Sequence, residues 1–143
     1  MTGMSPQELA ERVVSGMTSR DGFSAWLGIE ILEVGPHSCT LRMKVRRDML
    51  NGFGVCHGGV TYSLADSALA FAANGQGAVT MSINNSISYP AAVHEGDILT
   101  AVAEQESAAN RIAFFKVDVR NQEQASVAHF RGTVYRTGKQ HQV

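Results

Sequence analysis

The chain has 143 residues, 17% of them charged, and a formal net charge of −1. No basic tract stands out, which argues against a nucleic-acid partner; no apolar run is long enough to span a bilayer, so no membrane is expected. The length suits one domain over 1–143 with a real core.

The opening MTGMSPQELAERVVSGM lacks the basic start and apolar run of a signal peptide. Ser5-Pro6 caps a first amphipathic helix with Leu9, Val13 and Met17 on one stripe, inside an N-terminal helical segment of residues 1–22. Phe23, Trp26 and Leu27 form a short apolar cluster ahead of Gly28. Ile29 to Val34 reads as a strand, and Gly35-Pro36-His37-Ser38 as a turn. In the next strand Cys39, Leu41, Met43 and Val45 alternate with Ser38, Thr40, Arg42 and Lys44, so one face should be buried and one wet. A loop, Arg46 to Cys56, leads into HGGVTYSLADSALAFAAN, residues 57–74, a helix of about five turns.

Four strand-like runs follow. Val79 to Tyr89 places Val79, Met81, Ile83, Asn85 and Ile87 on one face, with Thr80 and Ser82 pointing the other way. Ile98 to Gln105, Arg111 to Arg120 and Ala125 to Tyr135 complete the set, with a hairpin turn at Asn121-Gln122-Glu123. The expected architecture is α+β: a six-stranded antiparallel sheet around one long helix, preceded by a short N-terminal helix. Such a sheet covers the helix on one side only. Its remaining small surface, Ser63, Ala70 and Ala73, needs another cover, and a second copy of the chain is the simplest one.

Asp66 is the one acid in this apolar helix, with no counter-charge within helical reach. A carboxylate there must be paired, hydrogen-bonded or kept for chemistry. It shares a helix side with Gly59, Tyr62, Ser63, Ala70 and Ala73; Leu64, Ala68, Phe71 and Ala72 fall on another. Either it is a structural acid bonded to a loop or hydroxyl, or it does acid/base work. The helix opens on Gly58-Gly59, whose bare backbone lets a ligand approach free amide donors.

The neighbouring candidates each allow two readings. Asn51-Gly52 and Phe53-Gly54 make an ordinary loop, or Asn51 orients a water or a carbonyl. His57 is a helix-entry residue bonding nearby backbone, or a general base; no Ser or Cys nucleophile is obviously paired with it. Thr80 and Ser82 form a polar sheet face or put a hydroxyl in a site. Cys39 and Cys56 make no CxxC, which fits two free thiols in a reduced cytoplasmic setting. No cluster has metal-ligand spacing.

Met49-Leu50-Asn51-Gly52-x-x-x-Cys56-His57-Gly58-Gly59, followed by Ser63-Leu64-Ala65-Asp66, resembles the signature of the hotdog-fold acyl-CoA thioesterases, and within them the PaaI-type branch of phenylacetate degradation. The stretches Val127 to Gly132 and, more loosely, Ser86 to Asp97 are similar to the same branch. The resemblance implies a hotdog fold that dimerises edge to edge and pairs again, as a dimer of dimers with sites at the dimer interface. It implies an acyl-CoA substrate of the (hydroxy)phenylacetyl type, with coenzyme A entering as part of the substrate and no separate cofactor or metal. Asp66 matches the catalytic carboxylate, as nucleophile or general base. Gly58 matches the amide that polarises the thioester carbonyl, and Asn51 a polar residue from the opposite subunit. Thr80 matches a pocket hydroxyl. His57, Gly59 and Phe53 fall beside these positions and are expected to border the substrate.

The chemistry agrees: a developing oxyanion is stabilised by an amide at the positive end of a helix. Asp66, two turns on, is poorly placed for a carbonyl bound at its own helix start, so a second subunit's carboxylate is the natural supplier. Phe23, Trp26, Met49 and Phe53 are the large apolar residues that flank the site in sequence and could line an acyl pocket. Arg111 and Arg120 are candidates for the coenzyme A phosphates, or else solvated strand-end charges. Two rivals remain: an acyl-CoA-binding or sensing module without turnover, and a broad-specificity thioesterase. A hydratase on the same fold lacks its D-x-N-P-x-x-H pattern here.

Overall fold

The computed structural model describes residues 3–143; the first two residues of the 1–22 segment lie outside the described residues. Helix α1, Pro6–Thr18, starts where the Ser5 hydroxyl accepts the Glu8 amide at 3.1 Å and Pro6 sets the first turn. Ala10, Val13 and Val14 form its buried centre, with Met17 packed beside them. Phe23 to Leu27 is more than an apolar cluster. It lies within a second short helix, α2 (Gly22–Leu27), capped by Asp21 on Ser24 and closed by Gly28 at φ 76°.

Strands β1 (Glu30–Gly35) and β2 (Ser38–Lys44) form a hairpin. Helix α3 is Gly58–Asn74. Then come β3 (Ala78–Ser88), β4 (Ile98–Ala109), β5 (Ile112–Arg120) and β6 (Ser126–Gln140). All pairings are antiparallel, and the sheet order is β1-β2-β4-β5-β6-β3. This is the expected six-stranded sheet, with α3 packed across every strand. The alternations read from sequence hold in β2 and β5, where Cys39, Leu41, Met43, Ala113, Phe115, Val117 and Val119 are all buried.

α3 buries Leu64, Ala65, Ala68, Leu69, Phe71 and Ala72 against the sheet, while Tyr62, Ser63, Asp66 and Ala70 stay half-buried. Its apolar composition therefore suggested more burial than one chain supplies. Ala73 is the exception among the residues expected to await a partner: the chain itself covers it to 2% exposure. Asn74 ties the helix end to β3, accepting from the Thr80 amide at 2.8 Å and donating to the Thr80 carbonyl at 3.1 Å. Among the described residues β3 pairs only with β6, which leaves its other edge open.

Candidate active site

Asp66 borders a cleft of about 340 Å³ between α3, β3 and β6, lined by Leu69, Ala70, Ala73, Thr80, Met81, Ser82 and Val134. Asn85 reaches it from β3: its amide nitrogen donates to Asp66 Oδ1 at 3.3 Å and to the Tyr62 hydroxyl at 3.1 Å. Burial pushes the Asp66 carboxyl above the ordinary carboxylate range, and the Asn85 hydrogen bond pulls it part of the way back. A carboxyl so raised is a stronger base when ionised.

Asn85 gets there through a β-bulge. The β3–β6 register runs Ser82 to Val134 and then Asn84 to Thr133, which leaves Ile83 as an extra residue. Before the bulge Thr80 and Ser82 face α3; after it Asn85 and Ile87 do. Met81 and Ile83 point outward, 62% and 58% exposed. The single face expected for Val79, Met81, Ile83, Asn85 and Ile87 is thus split in two. Thr80 is buried and lines the cleft, while its hydroxyl is already taken, donating to the Ala78 carbonyl at 2.9 Å and accepting from Gln76 at 3.0 Å.

The start of α3 forms a second cleft, lined by Val55, Cys56, Gly58, Thr61, Tyr89 and Ala91 to Val93. His57 is the N-cap: its Nδ1 accepts the Gly59 amide at 2.9 Å. This is the helix-entry role, and it leaves the other ring nitrogen to face outward. It also occupies the Gly59 amide. The Gly58 amide donates to no acceptor among the described residues and remains available to a ligand. Tyr89 leans over Gly58, its hydroxyl donating to the Gly58 carbonyl at 2.8 Å; a methyl on Gly58 would come within 3.2 Å of that phenol.

Asn51 closes the loop before the helix. Its side-chain oxygen accepts the amides of Phe53 at 2.9 Å and Val55 at 3.3 Å, and its NH₂ group donates to none of the described residues. Phe53 stands at the loop tip, 92% exposed. Met49 is buried in the core, so it does not line an acyl pocket. Phe23 and Trp26 stack at 6.1 Å, with the Arg46 guanidinium 5.1 Å from the Trp26 ring.

Asp66 and Gly58 do not meet. Eight residues of helix separate them by about 12 Å, and their clefts share no lining residue. Arg111 sits at the β4–β5 turn, donating to the Arg136 carbonyl at 3.2 Å, away from both clefts. Arg120 holds the Gln124 carbonyl at 3.0 Å. The residues that sequence reasoning missed as site members are Asn85, Tyr62 and Tyr89. Tyr62 was legible as a neighbour of Asp66 on the helix, whereas Asn85 was hidden by the bulge and Tyr89 by the distance between β3 and the helix start. A Ser126–His129–Asp118 set also lines up, at 3.3 and 3.4 Å, but His129 is 56% exposed and the set stands in open water, where such long bonds are weak.

The family model described as the thioesterase superfamily matches residues 53–128. The chain is similar to acyl-coenzyme A thioesterase PaaI of Escherichia coli, 35% identical over 122 residues that cover 85% of this chain and 87% of the relative. It is also similar to human acyl-coenzyme A thioesterase 13, 32% identical over 85% of this chain and 87% of that one. Among solved structures, the E. coli PaaI protein of the phenylacetic acid degradation operon superposes at a TM-score of 0.92, with 33% identity, 95% of this chain and 99% of that one. A hypothetical thioesterase of Streptococcus pneumoniae, solved with coenzyme A, superposes at 0.76, with 26% identity, over 79% of this chain and 88% of that one. The expected hotdog fold is therefore the fold of this chain.

Proposed function

The chain belongs to the thioesterase superfamily, and from that premise we propose that it hydrolyses acyl-CoA thioesters of the phenylacetyl and hydroxyphenylacetyl type to the free acid and coenzyme A, in sites built between two subunits. The observation that carries this reading is the separation of Asp66 from Gly58. One cleft offers a half-buried carboxylate with a raised pKa. The other offers a free amide at a helix start. A hydrolase needs both at one carbonyl. Two chains supply them if the open edges of β3 pair antiparallel about a two-fold axis. The two α3 helices then run in opposite senses, and the Gly58 end of one lies beside the Asp66 stretch of the other.

In this site the thioester oxygen accepts the Gly58 amide, which sits at the positive end of the α3 dipole as charge develops. Asp66 of the partner subunit either draws a proton from the attacking water, and the thiolate of coenzyme A leaves, or attacks the carbonyl itself with loss of that thiolate, after which water hydrolyses the acyl-aspartyl anhydride to the free acid and restores the carboxylate. Asn51 brings its free NH₂ group to the water or the carbonyl. The outward nitrogen of His57 and the edge of Gly59 border the substrate. Phe53, bare in one chain, contacts the acyl group or the partner, and Thr80 forms the cleft wall. Arg111 lies outside both clefts, so its role toward the nucleotide phosphates requires coenzyme A to extend beyond the acyl site to the β4–β5 turn. The enzyme works without a metal or bound cofactor, as a cytoplasmic dimer of dimers.

Thiol release from a panel of thioesters tests the reading. Phenylacetyl- and hydroxyphenylacetyl-CoA are expected to exceed acetyl-CoA in kcat/KM by up to roughly tenfold per aromatic contact. A preference for long-chain acyl-CoA overturns the aryl assignment. No thiol release from any member, with acyl-CoA still bound, favours a sensing module.

A further inference from the structure

We propose that Asn85 is the positioning residue for Asp66, fixing which carboxylate oxygen faces the reacting thioester; this rests on the catalytic reading of Asp66 above. The amide donates one hydrogen to Asp66 Oδ1 at 3.3 Å and the other to the Tyr62 hydroxyl at 3.1 Å. Asp66 Oδ2 takes no hydrogen bond from the described residues, so it is the oxygen left for water or substrate. An asparagine amide can turn over, and the reversed amide would present its oxygen to a carboxylate. The ionised Asp66 carboxylate only accepts, so it selects the amide nitrogen, and the Ser82 hydroxyl, donating to Asn85 Oδ1 at 2.7 Å, supports that same orientation.

Three local features converge on this one contact. The bulge at Ile83 puts Ser82 and Asn85 on the same sheet face although they are three residues apart. Gly132 lies directly across from Asn85 on β6, where a Cβ would come 2.9 Å from Asn85 Oδ1 and 2.5 Å from Leu69 Cδ2. Tyr62 lies one turn before Asp66 on α3 and receives the second hydrogen. A residue that served only to fill space beside α3 would need neither the amide nor the serine donor.

Few charges compete for control of Asp66. Tyr62 is the titratable neighbour on α3. On β3 the facing residues Thr80, Ser82 and Asn85 carry no charge. On β6, Gly132 and Val134 are neutral; Arg136, opposite Thr80, is held by Gln105 at 2.7 Å. Loss of the Asn85 donor should therefore read out directly in the acid limb of the pH profile, because a hydrogen bond to the charged form favours that form.

The test compares kcat and KM across pH for Asn85→Leu, Ser82→Ala and Asp66→Asn, with phenylacetyl-CoA as substrate. Asn85→Leu is expected to move the acid limb of kcat to higher pH by about one unit, with plateau kcat lowered roughly tenfold and KM little changed. Ser82→Ala should move both in the same direction by less. If Asp66→Asn loses turnover while the other two keep the wild-type limb, the Asn85 inference is overturned and the catalytic reading stands. If Asp66→Asn keeps turnover, the catalytic reading fails and this inference falls with it. Should Asn85→Leu not fold, the limb of Ser82→Ala decides alone.

Discussion

Gly132 faces Asn85 across the β3–β6 ladder, and the absence of a side chain at 132 is what gives the Asn85 amide its place: a methyl there would lie 2.9 Å from Asn85 Oδ1. The same methyl would press to 2.5 Å from Leu69 Cδ2 in the core. Gly132→Ala is expected to destabilise the fold by about 1–3 kcal/mol through overpacking and to lower turnover by displacing Asn85 from Asp66. Denaturant unfolding together with steady-state kinetics checks both. A variant with wild-type stability and turnover would show that β6 yields freely at this point.

The His57 cap makes a second, separable prediction. His57→Ala removes the acceptor for the Gly59 amide and should cost about 0.5–2 kcal/mol. His57→Asn keeps a side-chain acceptor at the N-cap and should recover most of that loss. Unfolding midpoints of the two variants decide it. Equal losses would mean that the imidazole stabilises the helix start by something other than the cap.

Asp66 should carry a stability penalty at neutral pH. Its folded pKa lies above the unfolded value, because burial disfavours the charged form. The folded state therefore binds the proton more readily, and stability rises as pH falls through the window between the raised folded value and the unfolded one near ~3.9. Asp66→Asn removes the charge, so its melting temperature should exceed wild type at pH 7, and the gap should shrink toward pH 4. A melting temperature below wild type at pH 7 would mean that the carboxylate is a structural group held by Asn85.

How much of this could be read from the sequence differs from element to element. Simple alternation gave β2 and β5 correctly, because each keeps one face on the core along its length. The lone acid in an apolar helix singled out Asp66, which the fold leaves half-buried at a cleft, and the paired glycines singled out Gly58, which lines a separate cleft. β3 was misread because a period of two has no term for an inserted residue; one bulge at Ile83 exchanges the faces and brings in Asn85. The short α2 gave no periodic signal over six residues and depends on a cap at Asp21 and a left-handed Gly28. Tyr89 reached Gly58 through tertiary folding alone, 31 residues away in sequence.

The most direct test of a site shared between subunits is complementation. Asp66→Asn and Gly58→Ala each leave one half of the site intact. In a dimer that joins Asp66 of one chain to Gly58 of the other, a mixed pair has one site with both defects and one with neither. Random pairing of the two variants makes about half of the dimers mixed, so an equimolar co-refolded mixture should regain about a quarter of wild-type thiol release from phenylacetyl-CoA. If both residues served one carbonyl within a single chain, every chain would carry one defect, and a mixture no more active than its separate components would contradict the account.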